Sequence, residues 1–313
     1  MPGRHDRDGI GISAVPWRCL ASYSMTSTTL TEPAAQVHRG LQGVALIVTG
    51  VSSLQFGAGL AATLFPKVGP LGVVTLRLLV AGVALLIAGR PRVRGRGRAA
   101  WRTVLIFGVI TAGMNASVYV AIDRLPLGAA ITFEFLGPLT LAMALSRRWL
   151  DVVWAACAGG GVLLLADGLH DLDLVGVAFA LLAAACWAGY IVLNRRVGDA
   201  GSGGVADLAL AVALAGVLVA PLGIAQGGAG LLDPRVLVVA VLVGVLSSAV
   251  PYSFDLLALR RLLARVFGVL CSVHPAVAAL AGLVVLHQHL SASQWLAIGL
   301  VVAASAGVTL TAR

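Results

Sequence analysis

Ten stretches of about twenty mostly apolar residues follow one another along the chain: 42–64, 69–89, 103–121, 127–145, 150–168, 174–193, 204–223, 234–257, 265–286 and 294–311. About 20 residues at 1.5 Å each cross the hydrocarbon layer of a bilayer as a helix. Inside that layer every backbone polar group needs an internal partner, so stretches of this length fold as helices. The expected fold is all-α, a polytopic membrane protein of ten transmembrane helices. Composition agrees, because 59% of the 313 residues are apolar and only 11% charged, against about 25% charged in soluble domains.

The net charge of +9 is distributed by side rather than gathered into a nucleic-acid surface. With the N-terminus in the cytoplasm, one face receives the tail 1–41, the loops 90–102, 146–149, 194–203 and 258–264, and the C-terminus. Counting Arg265 at a span edge, that face carries 18 of the 22 Lys and Arg residues, six of them in RPRVRGRGRAAWR (90–102). The other face has Lys67, Arg124 and Arg235, while Arg77 falls inside a span. This is the positive-inside bias, and it predicts that both termini are cytoplasmic. The arginine loop is the one segment that a nucleic acid or a lipid surface could use. Sidedness accounts for it without either, so nucleic acid is not an expected partner.

The tail lacks an apolar core of the signal-peptide kind. Residues 1–24 have no amphipathic period, and Met25 opens MTSTTLTEPAAQVHRG, a leader of more usual length. Translation is therefore expected to start at Met25, the remainder being an artefact or a disordered extension. Of the basic residues, 21 are Arg and one is Lys, the mark of a GC-rich bacterial coding sequence. The expected location is thus a bacterial plasma (inner) membrane.

Enzymatic readings find no support. The four cysteines (Cys19, Cys157, Cys186 and Cys271) have no CxxC spacing. His287 and His289 alone make a weak metal site and read as solvated loop residues. The run Gly159-Gly160-Gly161 is a helix-packing feature and not a phosphate loop, because GxxxxGK[ST] does not occur. HExxH and GxSxG are absent as well. No cofactor and no metal are expected.

At an offset of 137 residues, Arg124-Leu125 falls on Arg261-Leu262 and Pro138 on Pro275. Each proline lies near the middle of the fourth span of a five-span half (42–168 and 174–311). Five is odd, so the second half enters the membrane inverted. Inverted repeats with a site at the midplane are an architecture of secondary transporters.

Polar residues inside the spans are the candidate site. Glu134, in AAITFEFLGPL (129–139), is about 10 Å deep, where an ionised acid costs roughly 2.5–3.5 kcal/mol. It must face a cavity, pair with a cation, or carry a proton. Four residues on, Pro138 leaves the Glu134 carbonyl without its helical donor. Together they read as a kinked, titratable point in a transport path, with a structural kink and a neutral acid as the plainer alternative. Arg77 lies at similar depth and keeps its proton. It could bind a substrate carboxylate through a two-pronged contact, or form a structural salt bridge, with Glu134 for example. Asn115 and Tyr119, four apart, share one helix face. Gln55, Trp187, Tyr190 and His274 lie at interior depths and complete the substrate-binding candidates, although such residues often serve as interhelical glue. Asp207 and Asp255, near cytoplasmic ends, are cheap to hold there.

Taken together, SLQFGAGLAATLFPKVGPLGVVTLRL (53–78), GMNASVY (113–119), LPLGAAITFEFLGPL (125–139), SRRWLDVVW (146–154), CWAGYI (186–191), VPYSFDLLALRRL (250–262) and SVHPAVAALAG (272–282) resemble the ten-helix EamA family of the drug/metabolite transporter superfamily, in its amino-acid-exporting branch. The resemblance implies two EamA repeats and export of small amino acids driven by proton exchange, with Arg77, Asn115 and Glu134 at matching positions. Three departures bear on the site: His274 replaces the family's usual Glu before the second proline, His287-Gln288 replaces Gly-Glu, and Ala62 replaces a frequent Lys. Expected partners are a small-molecule substrate, an amino acid in the leading reading, the proton, the lipid bilayer and a second copy in a homodimer. The alternatives are transport of another solute (a drug, nucleobase or sugar) and a structural or regulatory membrane protein.

Overall fold

A computed structural model describes residues 32–91, 93, 95–145, 150–167, 173–199, 204–251, 254 and 270–311. The chain divides into two compact units, Met1–His38 and Arg39–Arg313. The described part of the first is the start of a helix opening at Glu32. The expectations for Met25 and the tail, for 146–149 and 168–172, for Asp255, and for the Arg261-Leu262 match lie outside the described residues.

All regular elements among the described residues are helical. They are α1 (Glu32–Ala62), α2 (Phe65–Gly89), α3 (Arg98–Arg124), α4 (Leu127–Leu145), α5 (Leu150–Asp167), α6 (Leu174–Asp199), α7 (Gly204–Gly227), α8 (Pro234–Gly244), α9 (His274–Leu286) and α10 (Ala292–Thr311). Five stretches are long and apolar enough to cross a membrane: Leu41–Ala62, Phe65–Gly89, Arg98–Arg124, Leu174–Leu193 and Ala206–Leu232. The apolar helical segments Leu127–Leu141, Val152–Val162, Pro234–Ser248, His274–Leu286 and Ala292–Gly307 are shorter.

Helix ends follow local chemistry. The Asp233 side chain accepts from the Arg235 N–H, and Pro234 opens α8 where a missing donor costs nothing. Asp173 caps α6 by accepting from the N–H groups of Val175 and Gly176 at 2.9 and 3.1 Å. In α2 the chain turns at Gly69 (φ 69°) before Pro70 restarts the helix. The two prolines aligned in sequence act differently. The helix α4 is continuous across Pro138, whereas Pro275 stands in the first turn of α9, behind a non-helical turn at Ser272–Val273.

The bundle surface carries many apolar side chains, while a few polar residues are buried within the apolar core. Val83, Ile87, Val109, Leu182, Val217 and Val238 are exposed on the helices while Gln55, Thr111, Asn115 and Glu134 are buried, the distribution a lipid solvent favours. Packing is reciprocal between the halves of the chain: α2 lies on α7, α4 on α9, α5 on α10, α3 on both α6 and α7, and α2 also meets α8. Through Gln55, Gly57 and Gly59, α1 reaches His274, Ser247 and Val285. Small residues make the approach close. A Cβ on Gly137 would strike the Ala184 carbonyl of α6. Of the Gly159–Gly161 run, Gly161 meets Ala297 of α10, while Gly159 and Gly160 face open space.

Contacts between helix ends sort by side. Arg96, in the α2–α3 loop, forms an ion pair with Asp207 at the start of α7. At the other end of the bundle Arg124 pairs with Asp173 at 2.8 Å. There too, Gln226 accepts from the Leu71 N–H at 2.8 Å, and Gln288 from the Leu127 N–H at 2.9 Å. Gln288 thus caps α4 from across the fold.

Candidate functional site

Arg77 projects from α2 onto neutral acceptors. Nη1 donates to Asn115 Oδ1 at 3.2 Å and to the Tyr119 hydroxyl at 3.1 Å. The guanidinium carbon lies 5.4 Å from the Tyr119 ring centroid, a cation–π distance. Asn115 and Tyr119 present to α2 from one face of α3, as their four-residue spacing requires. Asn115 Nδ2 donates to the Thr111 carbonyl at 2.9 Å, which fixes Oδ1 toward Arg77. Nη2 makes a longer contact, 3.5 Å, to the carbonyl of Ser247.

That carbonyl belongs to a π-turn, Val245–Ala249, which continues α8. Its cause is local: Pro251 has no N–H to give to the carbonyls of Leu246 or Ser247. Side chains take them instead, since Ser53 donates to Leu246 O at 2.8 Å and Arg77 reaches Ser247 O. Close approach of α1 depends on Gly57, whose Cβ would lie 2.5 Å from Ser247 Oγ.

A second cluster joins α1, α4, α6 and α9. Gln55 Nε2 lies 3.0 Å from His274 Nδ1. With the amide donating, the ring N–H is on Nε2. His274 stacks on Phe135 at 6.0 Å between centroids, and Trp187 meets Phe135 and His274 edge-on at 5.4 and 6.4 Å. Beside Phe135 in α4, Glu134 is 8% exposed, and Arg77 of α2 is half-buried. No salt bridge joins them: among the described residues the ion pairs are Arg96–Asp207 and Arg124–Asp173.

A cavity of about 50 Å³ adjoins Arg77, lined also by Leu85, Thr111, Tyr190, Val212 and Ser248. It lies on the side of Arg77 that faces the arginine loop, since Leu85 is two turns nearer the end of α2 and Thr111 one turn nearer the start of α3. Ligand pockets run to about 300 Å³ or more, so this cavity is small beside a typical ligand site. Tyr190 also packs against Phe107, 5.0 Å between centroids.

The sequence candidates thus gather into two groups: Arg77, Asn115 and Tyr119 with Tyr190 on their cavity, and Gln55, Trp187 and His274 beside Glu134. Sequence reasoning missed Ser53, Thr111, Phe135, Ser247, Ser248 and Pro251. The motif SSAVP (247–251) carried a signal, a proline behind two hydroxyls within an apolar run.

Residues 174–310 match the EamA-like transporter family. Over 274 residues the chain is 41% identical to the threonine/homoserine exporter RhtA of Escherichia coli (strain K12), covering 86% of this chain and 92% of that protein. With the protein of that name in Salmonella typhimurium (strain LT2) the identity is 40% over the same shares. A solved structure described as "Crystal structure of protein" shares the fold, with a TM-score of 0.55 at 22% identity, covering 86% of this chain and 99% of that one. Its relatives are transporters and not enzymes, it carries multiple apolar helices, and the chain belongs to the EamA-like transporter family.

Proposed function

We propose that this chain exports small amino acids, of the threonine and homoserine kind named for its relatives, across a bacterial plasma membrane by proton antiport. The observation that carries the reading is the Arg77 guanidinium, whose hydrogen-bond partners among the described residues are neutral acceptors. A permanent charge held there without a permanent counter-ion can accept a substrate carboxylate without first breaking a salt bridge. Glu134 is the matching acidic group, and its carboxyl serves as the proton carrier. Gln55, Trp187, Tyr190 and His274 line the remainder of the path.

Ten spans in two inverted five-helix repeats, with both termini cytoplasmic, form the architecture of this reading. The reciprocal packing of α2 on α7, α4 on α9 and α5 on α10 supports it. So does the sorting of Arg96–Asp207 and Arg124–Asp173 to opposite ends. Counterflow in proteoliposomes tests the function, with labelled threonine and homoserine beside a panel of other amino acids, nucleobases and sugars. Counterflow of threonine or homoserine is expected. Counterflow of a nucleobase or sugar with none of any amino acid contradicts the reading.

A further inference from the structure

Four helical threonines treat their hydroxyls alike. Thr75, Thr103, Thr132 and Thr140 each donate to the carbonyl four residues back, at 2.9, 3.2, 2.6 and 2.8 Å. Thr111 does not. Its Oγ1 is buried without a partner, although the carbonyl of Phe107 stands one turn back in the same helix. A second buried orphan is close by, Arg77 Nε. Both residues line the same cavity, together with Ser248 of the π-turn.

The two edges of the Arg77 fork differ. Nη1 is occupied by Asn115 and Tyr119. Nε and Nη2 share the other edge, the geometry on which a carboxylate forms two parallel hydrogen bonds. On that edge, among the described residues, Nε has no partner and Nη2 has only the 3.5 Å contact to Ser247 O. Pro251, four residues on, has no N–H to give that acceptor. The edge suited to a carboxylate is therefore the less occupied one among the described residues, and the Ser247 carbonyl stands beside it.

We infer that the substrate carboxylate docks along the Nε/Nη2 edge of Arg77 and that the hydroxyls of Thr111 and Ser248 are its further donors. The inference rests on the amino-acid reading above and names the residues that select for a carboxylate. Thr111 comes from α3 and Ser248 from the π-turn that continues α8, in different halves of the chain, so a carboxylate bound here ties the two halves together.

The test is counterflow kinetics in proteoliposomes with threonine and with threonine amide, which lacks the anionic end. Thr111→Val keeps the shape and removes the hydroxyl, Thr111→Ser restores it, and Ser248→Ala removes the second. Each loss of a hydrogen bond to a charged group is expected to raise the KM for threonine roughly tenfold. Thr111→Ser should recover the wild-type KM, and the KM for threonine amide, whose neutral carbonyl gains less from either hydroxyl, should rise less. An unchanged KM for threonine in both Thr111→Val and Ser248→Ala overturns the inference, as does an equal rise for threonine and its amide. Either result, obtained with a wild type that transports threonine and an Arg77→Lys variant that binds it weakly, rejects these donors and leaves the amino-acid reading standing. A wild type that transports no amino acid rejects that reading itself.

Discussion

Asn115 Oδ1 lies 3.2 Å from Arg77 Nη1 while the Asn115 amide nitrogen donates backward to the Thr111 carbonyl. The side chain is thereby locked, because turning the amide over would set its NH₂ against the guanidinium. Asn115→Leu, of similar size, removes the acceptor and leaves a charged donor unmatched. A stability loss of about 1–3 kcal/mol is expected, read as a lower thermal midpoint in detergent. An unchanged midpoint would mean that Arg77 finds another acceptor at no cost.

Arg77→Lys separates charge from shape. Lysine keeps the cation and loses the planar fork, so the protein should insert normally while affinity for an amino acid falls at least tenfold. Wild-type affinity with normal expression would make Arg77 a structural residue.

The sidedness of the bundle is open to chemical labelling. Arg96 pairs with Asp207 at the end assigned to the cytoplasm. With Cys19, Cys157, Cys186 and Cys271 replaced, Arg96→Cys should resist a membrane-impermeant maleimide in intact cells and react after lysis. Reaction in intact cells inverts the topology.

At the opposite end, the hydrogen bond from Arg124 and those from Gly176 and Val175 hold the Asp173 carboxyl below the usual aspartate range. A depressed folded-state pKa gives stability that is present above the unfolded value and is lost as pH falls through the folded one. Wild type should therefore lose part of its thermal midpoint on acidification below about pH 4. The Asp173→Asn variant should start lower at neutral pH and lose less in that window. High salt should narrow the difference, since the pair is exposed. Parallel profiles for the two proteins would exclude a role for the pair.

The sequence made the helices legible because a lipid solvent demands long apolar runs, and these are visible one residue at a time. Arg77, Asn115 and Tyr119 were legible for two reasons: charge at mid-depth is costly, and residues four apart share a helix face. The pairing of Gln55 with His274, across 219 positions, could not be read, because it depends on which helices become neighbours. Pro138, singled out in the sequence, lies inside the continuous helix α4, and Pro251, which was not, leaves carbonyls that Ser53 and Arg77 reach. A missing N–H is visible in sequence; the side chain that compensates for it belongs to another helix. Gln288 was hidden for the same reason, as its partner is the Leu127 N–H at the head of α4.

Proton coupling through Glu134 is the central claim, and it has a direct test. A proton entering under a 100 mV potential brings about 2.3 kcal/mol, usable only if a buried group binds it in one facing state and releases it in the other. Glutamine mimics the protonated acid and cannot release a proton. Wild type and Glu134→Gln, reconstituted side by side, are assayed for threonine movement with and without an imposed pH gradient. Wild type should accumulate threonine against its gradient only when the pH gradient is present, and Glu134→Gln should exchange threonine but never accumulate it. Accumulation by Glu134→Gln at the wild-type rate would contradict the account.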